Sequence, residues 1–412
     1  MRMGRTGPRL MVVSLGVLSA TGGALGGGHV VAPGGGPPAA PGAGGSPAPL
    51  PPAIRDEIAA VLSSMASAAV RGDAGGFLEQ VDFIEPQFER EMRNMAKDLT
   101  LHAPVRVEFR LAESGSVPSG AGDRAHVAFT IDYDMPFDKD GRKMDASSRH
   151  VQSPYPVCEF RRDAGGAWRF AGEVWKEIPG DGFVVRYLDD KSRATAEIID
   201  RVFPIAKAHD DEGFGIAGTA AARRQQVIKL YENMEHLKAT VYLSMPDPVL
   251  GGWNESGESI KFMSSYTEGE QSWTRAFAHE YGHVATWALG DRASELPWWV
   301  AEGAAELAAE KWDAPGGNDR QVRGLAKAGK LAAWNDIANY HDARQEVKYL
   351  AYVQGHHLMG YVSDTFGREK RNAWIASAAS GKSIDEATRA ALGMSFDELD
   401  RAWRDSLKGE RK

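Results

Sequence analysis

The sequence predicts a two-domain α+β chain, and three observations carry that prediction. Between residues 53 and 179, two stretches of helical periodicity are followed by runs in which apolar and polar residues alternate. From residue 180 to residue 412, a few short apolar runs give way to a long region of helical periodicity. Ahead of both, residues 26–52 are almost wholly Gly, Pro, Ala and Ser. Such a segment cannot bury enough apolar surface to offset the entropy of ordering it, so it reads as a flexible linker.

With 43% hydrophobic and 25% charged residues, the 412-residue chain has the balance of a globular protein and the length for two cores. A net charge of −8, with no basic stripe, argues against a nucleic-acid partner. Residues 1–25 read as a secretory signal: Arg2, Arg5 and Arg9 precede an apolar run from Leu10 to about Leu18, and small residues follow. The run is shorter than the roughly 20 apolar residues of a membrane span. The expectation is therefore a secreted or extracytoplasmic, cell-surface protein with no membrane span in its mature form. An uncleaved N-terminal anchor and a plain disordered start are the alternatives. Cys158 is the only cysteine, so an exported chain must gain stability from packing or metal instead of an intrachain disulfide. Sharing a strand face with Phe160, Cys158 reads as a buried, inert thiol.

The first domain opens with the helical patterns IRDEIAAVLSSMASAAVRGD and FEREMRNMAKDL. Val105, Val107, Phe109 and Leu111 then alternate with polar residues, as do Val127, Phe129, Ile131, Tyr133 and Met135. CEFRRDAGGAWRFAGEVW reads as a hairpin turning at DAGG. The stretch DKDGRKMD, from Asp138, lacks the third acidic ligand and closing glutamate of a calcium loop and reads as a hairpin loop. With AAVRGDAGGFLEQVD after its first helix, this order of elements resembles the nuclear transport factor 2-like (SnoaL-like) cone fold. That resemblance implies an enzyme, a ligand binder or an accessory domain. No acid–base pair stands out, so an accessory role is expected.

In the second domain FVVRYLDD reads as a strand, SRATAEIIDRVFPIAKAH as a helix and QQVIKLYENMEHL as another helix. KATVYLSM and ESIKFMSS read as strands. Beyond Trp273 the chain is mainly helical, with Gly290, Gly316, Gly329 and Gly367 as helix terminators.

Within AFAHEYGHVATW, His279 and His283 are four apart and so share one helix face, where both imidazoles can point at one ion. Glu280, one residue step round from His279, can reach a water on that ion without being a ligand. Two imidazoles and a carboxylate suit Zn2+, because they leave one corner of a tetrahedral shell open. The helix is apolar nearly all round, which indicates burial, and buried histidines need partners. In LPWWVAEGAAELAAE, Glu302 follows His283 after eighteen intervening residues, enough for a turn and the start of an antiparallel helix with Pro297 in its first turn. Glu302 is the candidate third ligand, and Glu306, one turn on, the candidate acceptor for the outer N–H of a ligand histidine. Glu302, Glu306 and Glu310 also have the spacing of a solvated stripe, against which Trp298, Trp299 and Val300 weigh.

HEYGH followed by WWVAEGAAE resembles the gluzincin metallopeptidases, above all the peptidase MA-like group and the catalytic domain of zinc aminopeptidases, over residues 181–410. The resemblance implies a thermolysin/aminopeptidase-like zincin domain, zinc as cofactor, and hydrolysis of peptide bonds in a peptide or protein substrate. In that family a W-L-x-E-G-x-A-E segment delivers the third zinc ligand by its first glutamate, here Glu302, and Glu280 falls in the place of the general base. Zinc aminopeptidases stabilise the oxyanion with the tyrosine of a Y-E-K-G segment. The corresponding string here is Tyr352-Val353-Gln354-Gly355, which departs at its second and third positions. Within VKYLAYVQGHHLMGYV, Tyr352 and His356 share a helix face with Tyr349 close by, so both stand as donors, the alternative being that these aromatics pack the last helices, while His357 points elsewhere. ESIKFMSS is the expected exposed edge for an added peptide strand. The aminopeptidase G-x-M-E-N segment is missing, which favours an endopeptidase.

Two other readings stay open: a non-catalytic, zinc-stabilised extracellular binding protein, and an exported scaffold with a chance motif. His29, His102, His126, His150, His209, His236 and His341 have no ligand-like spacing and read as surface or satisfied core residues.

Overall fold

The computed structural model describes residues 50–116, 122–136, 148–245, 251–340 and 342–409. The signal segment, nearly all of the linker, the loop from Asp138, His29 and His341 lie outside them.

The first unit begins with α1 (Pro52–Arg71), which buries Ile58, Val61, Leu62, Met65 and Ala69 and closes where Gly72 takes a φ of 63°. A short α2 (Ala74–Leu78) and the amphipathic α3 (Pro86–Leu101) follow. Strands β1 (Arg106–Ser116), β2 (Arg124–Met135), β3 (Arg149–Arg162) and β4 (Trp168–Glu173) then pair as an antiparallel meander in chain order. Val105 precedes β1 and is exposed. Along β2 every second residue from Ala125 to Met135 is buried, the period-2 pattern expected of a sheet with one face on a core. Asp163 Oδ1 makes the DAGG turn, accepting the N–H groups of Gly165 and Ala167 at 2.9 Å each. Cys158 is buried, and burial pushes its thiol well above the ordinary range, so it is inert.

The second sheet starts earlier than residue 180. β5 (Lys176–Gly180) pairs with β6 (Phe183–Tyr187), so the changeover between sheets falls at Val174 and Trp175. Helix α4 (Arg193–Gly213) leads to β7 (Gln226–Tyr231), α5 (Met234–Ala239), β8 (Gly252–Trp253) and β9 (Ile260–Met263). The order is β5-β6-β7-β9-β8, with β6, β7 and β9 parallel and the two outer strands antiparallel.

Three expectations are corrected here. QQVIKLYENMEHL is strand β7 followed by the short α5, not one helix. β7 is buried on both faces, so its residues show no alternation and their apolar run imitates a helical one. KATVYLSM is the end of α5 and successive turns, with Thr240, Val241 and Tyr242 donating back to His236 and Lys238. ESIKFMSS contains β9, which lies between β7 and β8 and is no edge; the edge beside it is β8.

Among the described residues, seven α-helices follow: α6 (Glu270–Trp287), α7 (Trp298–Ala309), α8 (Gly317–Lys327), α9 (Lys348–Phe366), α10 (Arg368–Ala379), α11 (Ile384–Leu392) and α12 (Phe396–Ser406). Gly329 and Gly367, at positive φ, follow α8 and α9, whereas Gly316 caps the start of α8. Capping boxes at Ser383/Glu386 and Ser395/Glu398 start the last two helices. One face of the second sheet packs on α4 and α6 through Phe183, Phe203, Phe262 and Phe277. The other face meets the first unit, where Lys229 and Lys261 face α3. Among the described residues no helix is long and apolar enough to cross a membrane.

Candidate metal centre

Helix α6 is buried nearly all round from Trp273 to Thr286, so the two histidines enter the core with it. His279 is 3% exposed, and His283 and Glu302 are each 0% exposed. Glu302 comes from the second turn of α7. Its Oε1 accepts from Trp298 Nε1 at 2.8 Å, which leaves Oε2 aimed at α6. That oxygen lies 3.5 Å from His279 Nε2 and 3.6 Å from His283 Nε2.

None of these three atoms has a hydrogen-bond partner among the described residues, and together they form a group within 4.8 Å of one another. Ligands about 2.0–2.2 Å from a tetrahedral zinc are separated by roughly 3.3–3.6 Å. The donor set and its spacing therefore fit such an ion. Buried polar atoms left unpaired are costly, and a shared cation satisfies all three at once.

The surroundings hold these groups in place. His279 Nδ1 lies 3.0 Å from Glu306 Oε1, and Glu306 Oε2 accepts from Arg275 Nη2 at 2.8 Å. Arg275 is itself held by Asp313. Burial raises the Glu306 carboxyl, but His279 and Arg275 outweigh it and hold the group well below the ordinary range. Burial works against charge on His279, yet the carboxylates of Glu302 and Glu306 push it up to about 10. Burial pushes the Glu302 carboxyl up to about 7 despite His279. His283 is driven well below the ordinary imidazole range by burial and by the charge on His279.

Of the three glutamates four apart, Glu302 is wholly buried, the Glu306 side chain is 16% exposed and that of Glu310 is 58% exposed. A solvated stripe is thus excluded at the first and describes only the last. Glu280 is 1% exposed and sits against the edge strand, where a Cβ on Gly252 would lie 3.0 Å from its Oε1. Asn254 Nδ2 donates to the Glu280 carbonyl at 3.0 Å. Tyr352, from α9, is buried with its ring stacked on His279 at 6.2 Å between centroids. Burial, with the carboxylates of Glu302 and Glu306, holds its phenol well above the ordinary range. His356 instead has Nε2 3.6 Å from Glu310 and, with the Asn318 amide turned to suit, Nδ1 3.0 Å from Asn318 oxygen. Tyr349 is 37% exposed, and His357 bonds to Asp319 and Trp403.

Sequence reasoning missed Trp298 as the anchor of Glu302, Arg275 and Asp313 behind Glu306, and the contact of Gly252 with Glu280. It also missed the crossing of α7 and α9, where a Cβ on Gly303 would meet the Gly355 carbonyl carbon at 2.4 Å. Only glycine at both positions lets the two backbones touch. The signal was present in E-G and Y-V-Q-G, one residue after Glu302 and three after Tyr352.

Residues 215–409 match the family model of the peptidase MA superfamily. The match supports a zincin-like metallopeptidase fold for this part of the chain and suggests a metallopeptidase-like function; members are typically zinc-dependent. The chain matches no curated protein.

Proposed function

We propose that this chain is an exported zinc peptidase that cuts within peptides, with His279, His283 and Glu302 as zinc ligands. The observation that supports it most is the convergence of three buried, unpartnered donor atoms, beside which a fourth buried residue, Glu280, borders a strand edge. A purely structural site has no use for Glu280. When bound, zinc supplies Lewis acidity at the corner its three ligands leave open.

β8 is the outer strand of the sheet but residues 251–254 are buried, so a peptide that joins the sheet there must displace what lies over it before its backbone comes beside the Glu280 carboxylate. Glu280 takes a proton from the attacking water and returns it to the departing amine. Tyr352 keeps its proton at neutral pH and so serves as an O–H donor to the developing oxyanion. It is preferred to His356, whose ring nitrogens face Glu310 and Asn318. Glu306 orients His279. Cleavage within chains is favoured because the edge segment reads Gly251-Gly252-Trp253-Asn254, and Glu255 beyond it is already engaged by Tyr242 and Asn94. The first unit is read as a cone-type accessory domain.

In Glu280→Gln, zinc content should stay at one per chain while cleavage of a mixed peptide library falls by about 10²–10⁴-fold. His283→Ala should lose both. Full activity in Glu280→Gln would falsify the base assignment. A zinc-loaded wild type that cleaves nothing leaves the extracellular binding protein as the reading.

A further inference from the structure

Lys229 on β7 and Lys261 on β9 are direct neighbours in the parallel ladder. Their side chains are 2% and 0% exposed. Two buried cations side by side need negative charge; Glu258 lies 3.8 Å from Lys261, and the carboxylate that reaches both lysines comes from the other unit. Glu91 of α3 accepts from Lys229 Nζ at 2.7 Å, and its second oxygen lies 3.8 Å from Lys261 Nζ. The same carboxylate accepts from the Ser259 backbone N–H at 3.2 Å and from the Ser259 hydroxyl. One turn on, Asn94 donates to Glu255 at 3.0 Å and to Glu258. Arg90 Nε donates to the Ser256 carbonyl at 3.2 Å.

Glu255, Ser256, Glu258 and Ser259 all belong to the connection between β8 and β9. The start of that connection is the site itself, where Asn254 bonds to the Glu280 backbone and Gly252 lies against the Glu280 carboxylate. β8 is only two residues long, and glycines occupy positions 251 and 252. Apart from the buried Trp253, edge-on to Tyr242, so short and glycine-rich a strand has few anchors of its own. Further bracing comes from the connection, and the connection is gripped by α3.

We infer that Glu91 and Asn94 are positioning residues for substrate: through the β8–β9 connection, α3 of the first unit sets the edge strand on which a peptide is received. This rests on the peptidase reading above. The first unit is then part of the substrate-binding apparatus, not a spacer, and the catalytic unit depends on it for peptide affinity more than for chemistry.

The test uses the full chain with Asn94→Ala, and Glu91→Gln as a second variant, each loaded with zinc. Asn94→Ala should raise KM for peptides about tenfold, the effect of one or two net hydrogen bonds, and leave kcat within about twofold. Zinc content should not change. Backbone amides of residues 251–259 should exchange hydrogen faster while those of α6 keep their protection. Glu91→Gln should shift both readouts further in the same direction. A folded Asn94→Ala with lower stability but unchanged KM and unchanged exchange at 251–259 overturns the proposal, since the contact is then only structural. A zinc-loaded wild type that cleaves nothing defeats the peptidase reading alone, and the exchange comparison still decides whether α3 holds the edge strand.

Discussion

On the side of the five-stranded sheet that faces α3, Glu91 sits between Lys229 and Lys261 with hydrogen bonds from both elements of the interface. On the side under α6, His279, His283 and Glu302 are buried just as deeply, yet the atoms they turn toward one another are unpaired. The first cluster answers its own charges, and its removal should damage the fold. The second keeps His279 Nε2, His283 Nε2 and Glu302 Oε2 out of water with no hydrogen-bond partner among the described residues, a cost that stability alone does not explain. Burial does not separate a structural ion cluster from a ligand site; completeness of the hydrogen bonding does.

The largest effects come from exchanging one carboxylate for its amide in each cluster. Glu302→Gln should abolish stoichiometric zinc binding and with it the stabilisation that zinc confers, about 4 kcal/mol at a thousandfold excess over Kd. The zinc-free Glu302→Gln protein should be no less stable than zinc-free wild type, because burial already pushes the native carboxyl up to about 7. Glu91→Gln should do the reverse. It should retain zinc and lose about 3–5 kcal/mol, since Lys229 loses the carboxylate it is bonded to and Lys261 loses one of the two, Glu91 and Glu258, that lie 3.8 Å from it. Urea unfolding with and without zinc measures all four quantities. If zinc-free Glu302→Gln is the less stable of the two variants, the distinction between the clusters collapses.

A smaller effect reaches the metal cluster through packing. Gly303→Ala places a methyl group on the Gly355 backbone, so α7 and α9 must separate. Overpacking of this kind costs about 1–3 kcal/mol. Because α7 carries Glu302 and α9 carries Tyr352, zinc affinity should fall as well, whereas Gly360→Ala, with open space around it, should change neither. Unaltered zinc affinity in a folded Gly303→Ala protein would show that the crossing does not tension the site.

The grouping of His279, His283 and Glu302 was legible because helical spacing is local: the two histidines share a face whatever surrounds them, and a chain turn returns Glu302 to them. Tryptophans before that glutamate signalled burial, and the structure shows why, with Trp298 holding one of its oxygens. What was not legible depends on contacts between distant segments. β7 read as a helix because the first unit covers its second face and removes the alternation, and nothing inside QQVIKLY announces that cover. Lys229 in the middle of that run carries no local sign of burial, because its partner Glu91 lies 138 positions earlier. ESIKFMSS reads as an edge because the two-residue β8 that covers β9 has no sequence pattern of its own.

The smallest predicted effect bears on the same contrast along a single helix face. Glu302, Glu306 and Glu310 follow one another by a turn, so spacing alone does not separate them. Their surroundings differ steadily: the first meets two imidazoles, the second one imidazole and Arg275, and the third, largely exposed, lies 3.6 Å from His356. An exposed ion pair at such a distance contributes between zero and about 1 kcal/mol. Glu310→Gln should therefore alter stability by no more than about 0.5 kcal/mol and leave zinc affinity and peptide cleavage at wild-type values. Glu306→Gln should weaken zinc binding about 10–100-fold through the loss of its hold on His279. Equal losses of zinc affinity at positions 306 and 310 would mean that His356, and not His279, carries the coupling from this face to the metal. The assignment of His356 as a bystander would then have to be reversed.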